Sequence, residues 1–200
     1  MRARVVLMGL IALVGACGGP PPTYSDQIAA WHAEKDRFMR ESPDSPVLQE
    51  KRAGFPPLSY FPVDPSYRVP AALQLAPPGP VVDMPTSTGA RRPMHRVGTL
   101  AFTLAGHPLM TLGAFVEADD KEMRRLFVPF SDLTSGLETY QGGRYLDLDR
   151  TPTGFYDLDF NRAYHPFCLF NPAYECPYPP AESRLKTPIR AGERLPASAR

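Results

Sequence analysis

Twenty-five prolines are spread through the 200-residue chain, every one of them after residue 19. Each fixes φ and removes a backbone donor. At this density they argue against long helices and for short strands joined by loops of set shape.

The segments between the prolines agree. Residues 58–63, 67–75, 81–84, 94–104, 109–116 and 126–130 are short runs rich in β-branched and aromatic residues. Residues 99–104, the turn Ala105-Gly106-His107-Pro108 and residues 109–114 read as a hairpin, with Leu100, Phe102 and Leu104 on one face. Residues 145–149 and 155–161 read as a second hairpin joined by the five-residue loop 150–154, and 187–191 as a final strand. Ahead of the strands, Ser25 can cap a helix to about Arg40. Ile28, Trp31 and Phe38 lie near one stripe of it, with Glu34, Lys35, Asp36 and Arg37 on the other side. Ser45-Pro46 starts a second helix that Gly54 ends. The expected fold is mainly β, a β-sandwich or partly open barrel of short antiparallel strands, with one or two N-terminal helices.

Residues 1–16 combine Arg2 and Arg4 with an apolar run from Val5 to Ala16. That run is shorter than the ~20 residues that span a bilayer and fits a secretory signal. It ends in Val14-Gly15-Ala16-Cys17, which resembles the lipobox of bacterial lipoproteins; an ordinary signal peptide with a chance cysteine is the alternative. Lipidation at Cys17 would anchor the protein durably, since each buried methylene contributes ~0.8 kcal/mol. Gly18 rather than Asp follows, which by analogy with enteric sorting points to the outer membrane, the domain facing the periplasm. The expected organisation is a signal peptide over 1–16, a lipidated tether over 17–24 and a single β-rich domain over 25–200. Net charge is +1 and turns to a formal −1 when Arg2 and Arg4 are removed. Without a basic block nothing favours nucleic acid.

Strand alternation places Tyr145, Asp147 and Asp149 on one face and Leu146 and Leu148 on the other; Asp157, Asp159 and Asn161 oppose Tyr156, Leu158 and Phe160. Asp147, Asp149, Asp157 and Asp159 then share a surface. Like charges opposed across a sheet are destabilising. Arg144, Arg150 or Arg162, water, a bound Ca²⁺ or a raised carboxyl pKa must offset them. A solvated face, a ligand pocket and a cation site all fit; no acidic loop has EF-hand spacing, and no metal or cofactor is expected. The candidate ligand-binding residues are Arg144, Tyr145, Asp147, Asp159, Asn161, Arg162 and Tyr164. The arginines suit an anionic group, the carboxylates hydroxyl or amine donors, and the tyrosines flat contact.

With Cys17 lipidated, Cys168 and Cys176 remain, and in an oxidising compartment a disulfide between them is the economical reading. With His165 they would supply only three zinc ligands. Thr86-Ser87-Thr88-Gly89 is either an anion-binding turn or an ordinary capped one. The motifs of the familiar hydrolases and nucleotide-binding folds are absent, and nothing in the spacing supports Ser135 as a nucleophile with His165 as its base.

Residues 130–136 (FSDLTSG), 138–140 (ETY), 143–148 (GRYLDL), 158–164 (LDFNRAY) and 176–180 (CPYPP) resemble the blocks of the bacterial domain of unknown function 1684. The similarity runs from about Trp31 to Glu193. It departs at His165 and Ser183, where the family pattern has Asn. The resemblance implies no activity, cofactor or substrate. The expectation is a lipid-anchored cell-envelope protein that binds a small polar ligand or envelope component, with the membrane as its one defined partner. The alternative is a carboxylate-dependent extracytoplasmic hydrolase, Asp147 or Asp159 acting as base beside Arg144 or Arg162. A third reading is that the blocks only fold the domain.

Overall fold

The structure, a computed structural model, describes residues 21–120, 122 and 124–196. The expected signal peptide, Cys17 and residues 18–20 of the tether lie outside the described residues.

Helix α1 (Tyr24–Glu41) is capped by Thr23 rather than by Ser25. Thr23 Oγ1 accepts the Asp26 N–H at 3.2 Å while the Thr23 N–H donates to Asp26 Oδ2 at 2.9 Å. This reciprocal box satisfies two otherwise open donors and leaves Ser25 inside the first turn. Ile28 and Met39 are buried. Lys35 and Asp36, expected on the outer side, turn inward: Lys35 Nζ meets Glu193 Oε1 at 2.9 Å, and Asp36 Oδ1 accepts the Leu58 N–H at 2.9 Å. The helix therefore docks through charge as well as through its apolar stripe. The second helix is the single turn α2 (Gln49–Arg52), which begins after Leu48, not at Pro46.

The strands are β1 (Ser59–Tyr60), β2 (Arg68–Leu75), β3 (Val82–Pro85), β4 (Arg91–Phe102), β5 (Met110–Glu117), β6 (Arg125–Phe130), β7 (Arg144–Asp149), β8 (Phe155–Asp159) and β9 (Glu193–Arg194). β1 pairs with β9, and the other seven form one antiparallel sheet in the order β7-β6-β5-β4-β2-β8, with β3 beside β4. The β4–β5 hairpin forms as expected, Phe102 opposite Met110, with Gly106 at φ +77° in its turn. The expected strand at 187–191 does not form; the short strand lies just after it, at Glu193–Arg194.

The sheet curls into a nearly closed barrel around Leu100, Phe102, Leu112, Val128, Leu146 and Phe160, all buried. The expected second hairpin is the largest correction. β7 and β8 are consecutive but do not pair; they are the two ends of the sheet, β7 bonded to β6 and β8 to β2. Two features separate them. After β8 the chain makes a 3₁₀ turn at Phe160–Arg162, and Tyr164 then takes the outer edge of β7, exchanging both backbone hydrogen bonds with Tyr145 at 2.9 and 3.0 Å. An edge already paired cannot accept β8. Gly143, which opens β7, sits at φ +87°, and a Cβ there would meet the Phe130 carbonyl oxygen at 2.5 Å. Only glycine fits that entry.

Candidate functional site

The gap between β7 and β8 is a recess of about 280 Å³ whose walls include Tyr24, Arg68, Asp147, Asp157, Asp159 and Arg162. Asp159 is buried at its inner end. Its Oδ1 accepts the Tyr24 hydroxyl at 2.8 Å and the Asn161 N–H at 3.0 Å, and Arg162 Nε stands 3.5 Å from its Oδ2. Burial, and then the Asp159 carboxylate, push the Tyr24 phenol well above its usual range. Arg68 reaches Asp157 Oδ2 through Nε at 2.7 Å, and its guanidinium lies 5.1 Å from the centre of the Tyr24 ring. At the rim Asp149 pairs with Arg125 at 3.3 Å.

Asp147 differs from the other three aspartates. Its close polar partner is the Tyr164 hydroxyl, which donates at 2.9 Å, and among the described residues no guanidinium pairs with it directly. Water reaches it through the cleft, but the surrounding protein strips enough hydration to push its carboxyl up, against the lowering effects of Tyr164 and Arg125. The recess thus holds one carboxyl pushed up by its surroundings beside others that pair with arginines. Such a set can accept from hydroxyl or amine donors and can also donate a proton.

The residues singled out from the sequence are distributed unequally. Asp147, Asp159 and Arg162 line the recess. Asn161 lies behind it, its amide bonded to the Tyr24 hydroxyl and the Asp64 carbonyl, both at 2.9 Å. Tyr164 does not line it and touches it only through the hydrogen bond of its hydroxyl to Asp147. Tyr145 does not line the recess: it is buried against Phe127 and Tyr164, its hydroxyl donating to the Pro177 carbonyl at 2.6 Å. Arg144 is fully buried: it pairs with Asp132 at 2.9 Å and donates to the carbonyls of Ile189, Ala191 and Glu193. It holds the C-terminal segment on the barrel and does not face the recess. Tyr24 and Arg68 escape sequence reasoning. Tyr24 is 135 residues from Asp159, and Arg68 faces Asp159 only through the β2–β8 pairing.

The expected Cys168–Cys176 bond is not formed: both are free, buried thiols. They are nevertheless adjacent, the Cys168 N–H donating to Cys176 Sγ at 3.1 Å. The Cys176 thiol, by donating to Cys168, brings the Cys168 thiol down to about 6, while Cys176 itself is pushed up. His165 stands apart from this chemistry. Its Nε2 accepts the Tyr140 N–H at 3.2 Å and its Nδ1 lies 3.4 Å from Glu193 Oε2. Burial pushes it down to about 3, so it is a neutral structural group. Donors of the turn at 86–89 are spent on protein acceptors: Gly89 N–H bonds to Thr86 O, Ser87 N–H to Cys176 O across to the 176–180 segment, and Thr86 Oγ1 to Ala90 O.

The comparisons with known proteins agree with the sequence blocks. Residues 53–194 match the family described as "Protein of unknown function (DUF1684)". The solution NMR structure of an uncharacterized protein from Haloarcula marismortui is similar at 43% identity and a TM-score of 0.67, over 84% of this chain and 92% of that one. No match was found among curated proteins. The chain belongs to the DUF1684 family.

Proposed function

We propose that this is a lipid-anchored protein of the bacterial cell envelope, held at the outer membrane through Cys17, whose domain binds a small polar ligand in the recess between β7 and β8. The recess carries the reading: a concave site between the two ends of the sheet, which do not pair with each other, where Asp147, Asp159, Arg68 and Arg162 converge. Its size and polarity suit a polyhydroxylated or amino compound better than an apolar one. The anchor rests on the sequence Val14-Gly15-Ala16-Cys17. In that oxidising compartment Cys168 and Cys176, already neighbours, would close a disulfide worth ~2–3 kcal/mol to the loop between them.

A thermal-shift screen of the purified protein against sugars, amines, nucleotides and peptidoglycan fragments tests the site, because a ligand of the native state raises apparent stability. A hit abolished by Asp147→Asn supports the recess; a hit indifferent to Asp147→Asn and Arg162→Gln places binding elsewhere. Fatty-acid labelling that persists in Cys17→Ser removes the anchor.

One observation favours the hydrolase alternative, the raised carboxyl of Asp147 inside a concave site. An enzyme would lose turnover in Asp147→Asn while still binding its ligand. A binding protein would show no turnover in either form.

A further inference from the structure

We propose a second binding site, walled by Tyr145 and Tyr164 and separate from the polar recess, that takes a small, flat, uncharged aromatic compound of one or two fused rings. Its walls are the side chains of Phe127, Tyr145, Tyr164, Phe167 and Tyr174, with Cys176 beside them, around about 240 Å³. Four of these five rings are only half-buried, although rings of this size gain most by leaving water. That much unburied aromatic surface in one concavity is the feature to be explained.

The geometry specifies the ligand. Phe127 meets Tyr145 at 74°, Tyr145 meets Tyr164 at 90° and Phe167 meets Tyr174 at 89°. Faces and edges therefore alternate around the recess, and an inserted ring can stack on one wall and meet the edge of another. The interior offers little polar recognition. The Tyr145 hydroxyl donates to the Pro177 carbonyl and the Tyr164 hydroxyl to Asp147. At the mouth Arg92 and Glu117 neutralise each other at 2.7 Å, and Arg92 also donates to the Glu175 carbonyl at 3.3 Å. A ligand bearing hydrogen-bonding groups in its buried part would leave them unpaired.

An aromatic box can also hold a quaternary ammonium, but this one is already served by a cation. Lys35 Nζ lies 3.9 Å from the centre of the Tyr164 ring, so a quaternary ammonium would compete for that ring with a charge already in place. The volume lies below the ~300–1,000 Å³ of pockets for drug-sized molecules, which limits the occupant to one or two fused rings.

The test is ligand-observed NMR on the purified full chain with toluene and indene as flat rings without hydrogen-bonding groups, cyclohexanol as a compound without a ring face, and tetramethylammonium as the cation. Toluene or indene should bind and the other two should not. Tyr174→Ala, which removes one wall from an outer loop, should weaken ring binding about tenfold, the loss of one aromatic contact. Phe127→Trp, which fills the recess from β6, should abolish it and decides the matter if Tyr174→Ala fails to fold. Failure of both rings to bind at millimolar concentration, equal binding by both variants, or preference for tetramethylammonium each overturns the proposal.

Discussion

The hydroxyl of Tyr24, the first residue of α1, donates to Asp159 at the end of β8 across 2.8 Å and accepts from the Asn161 amide at 2.9 Å. The helix thereby closes one end of the recess and fixes the carboxylate beside it. Tyr24→Phe keeps the ring under Arg68 but removes both bonds. A hydrogen bond to a charged acceptor is worth ~1.5–3 kcal/mol when buried, and this one is partly exposed. The variant should lose about 1–2 kcal/mol in urea denaturation, and amide exchange should quicken in the first turns of α1 before it does in the barrel.

The Arg144–Asp132 pair is costly to break. Both side chains are sealed from water, and Arg144 also serves three carbonyls. Arg144→Met leaves Asp132 buried without its counterion and should destabilise by ~3–5 kcal/mol. Asp132→Asn keeps the bonds that its other oxygen accepts from Thr134 and Ile189. The double variant should therefore lose less than the sum of the two, and a double-mutant cycle in urea measures that coupling.

Arg144 also illustrates how far the sequence could be read. Alternation places it on the same side of β7 as Leu146 and Leu148, and all three are buried; its charge, not its position, suggests a ligand face. The β runs between prolines and the β4–β5 hairpin were legible because they depend on local pattern alone. The separation of β7 from β8 was not. A five-residue loop with Gly154 at φ +72° serves paired and splayed strands equally well, and what decides is the Tyr145–Tyr164 pairing beyond it. Asp147, Asp149, Asp157 and Asp159 were legible as a cluster needing compensation. Their compensating partners Arg68 and Arg125 become visible only when β2 and β6 are known to flank β8 and β7.

The paired thiols should titrate unequally. Cys168 is brought down to about 6, chiefly by the thiol of Cys176, which donates to it. In the reduced protein, ultraviolet thiolate absorbance should rise for one cysteine near that pH and not for the other. Cys176→Ala removes the donor and should return Cys168 toward its ordinary value of ~8.5. An unchanged titration in that variant would mean that Ser87 or Tyr140, not Cys176, holds the thiolate.

His165 makes stability depend on pH with a defined sign. It is held near 3 in the folded protein by burial, with Arg144 and Lys35 adding repulsion, whereas an unfolded histidine titrates near ~6.5. Between those values the unfolded chain binds the extra proton, so stability rises with pH through the window and levels off above it. The slope from this one group approaches about 1.4 kcal/mol per pH unit. Asp147 acts in the opposite sense: its raised carboxyl keeps a proton that the unfolded chain has released, which favours the folded state at lower pH. Asp147→Asn should therefore steepen the rise, and His165→Asn, which can still accept from Tyr140, should flatten it. Urea denaturation of each variant against the unaltered protein at pH values from ~4 to ~7, upward from the ordinary carboxylate range, reads both differences. An unchanged slope in His165→Asn would mean that the ring already carries a proton in the fold, and that the buried Glu193 beside it is paired with an imidazolium.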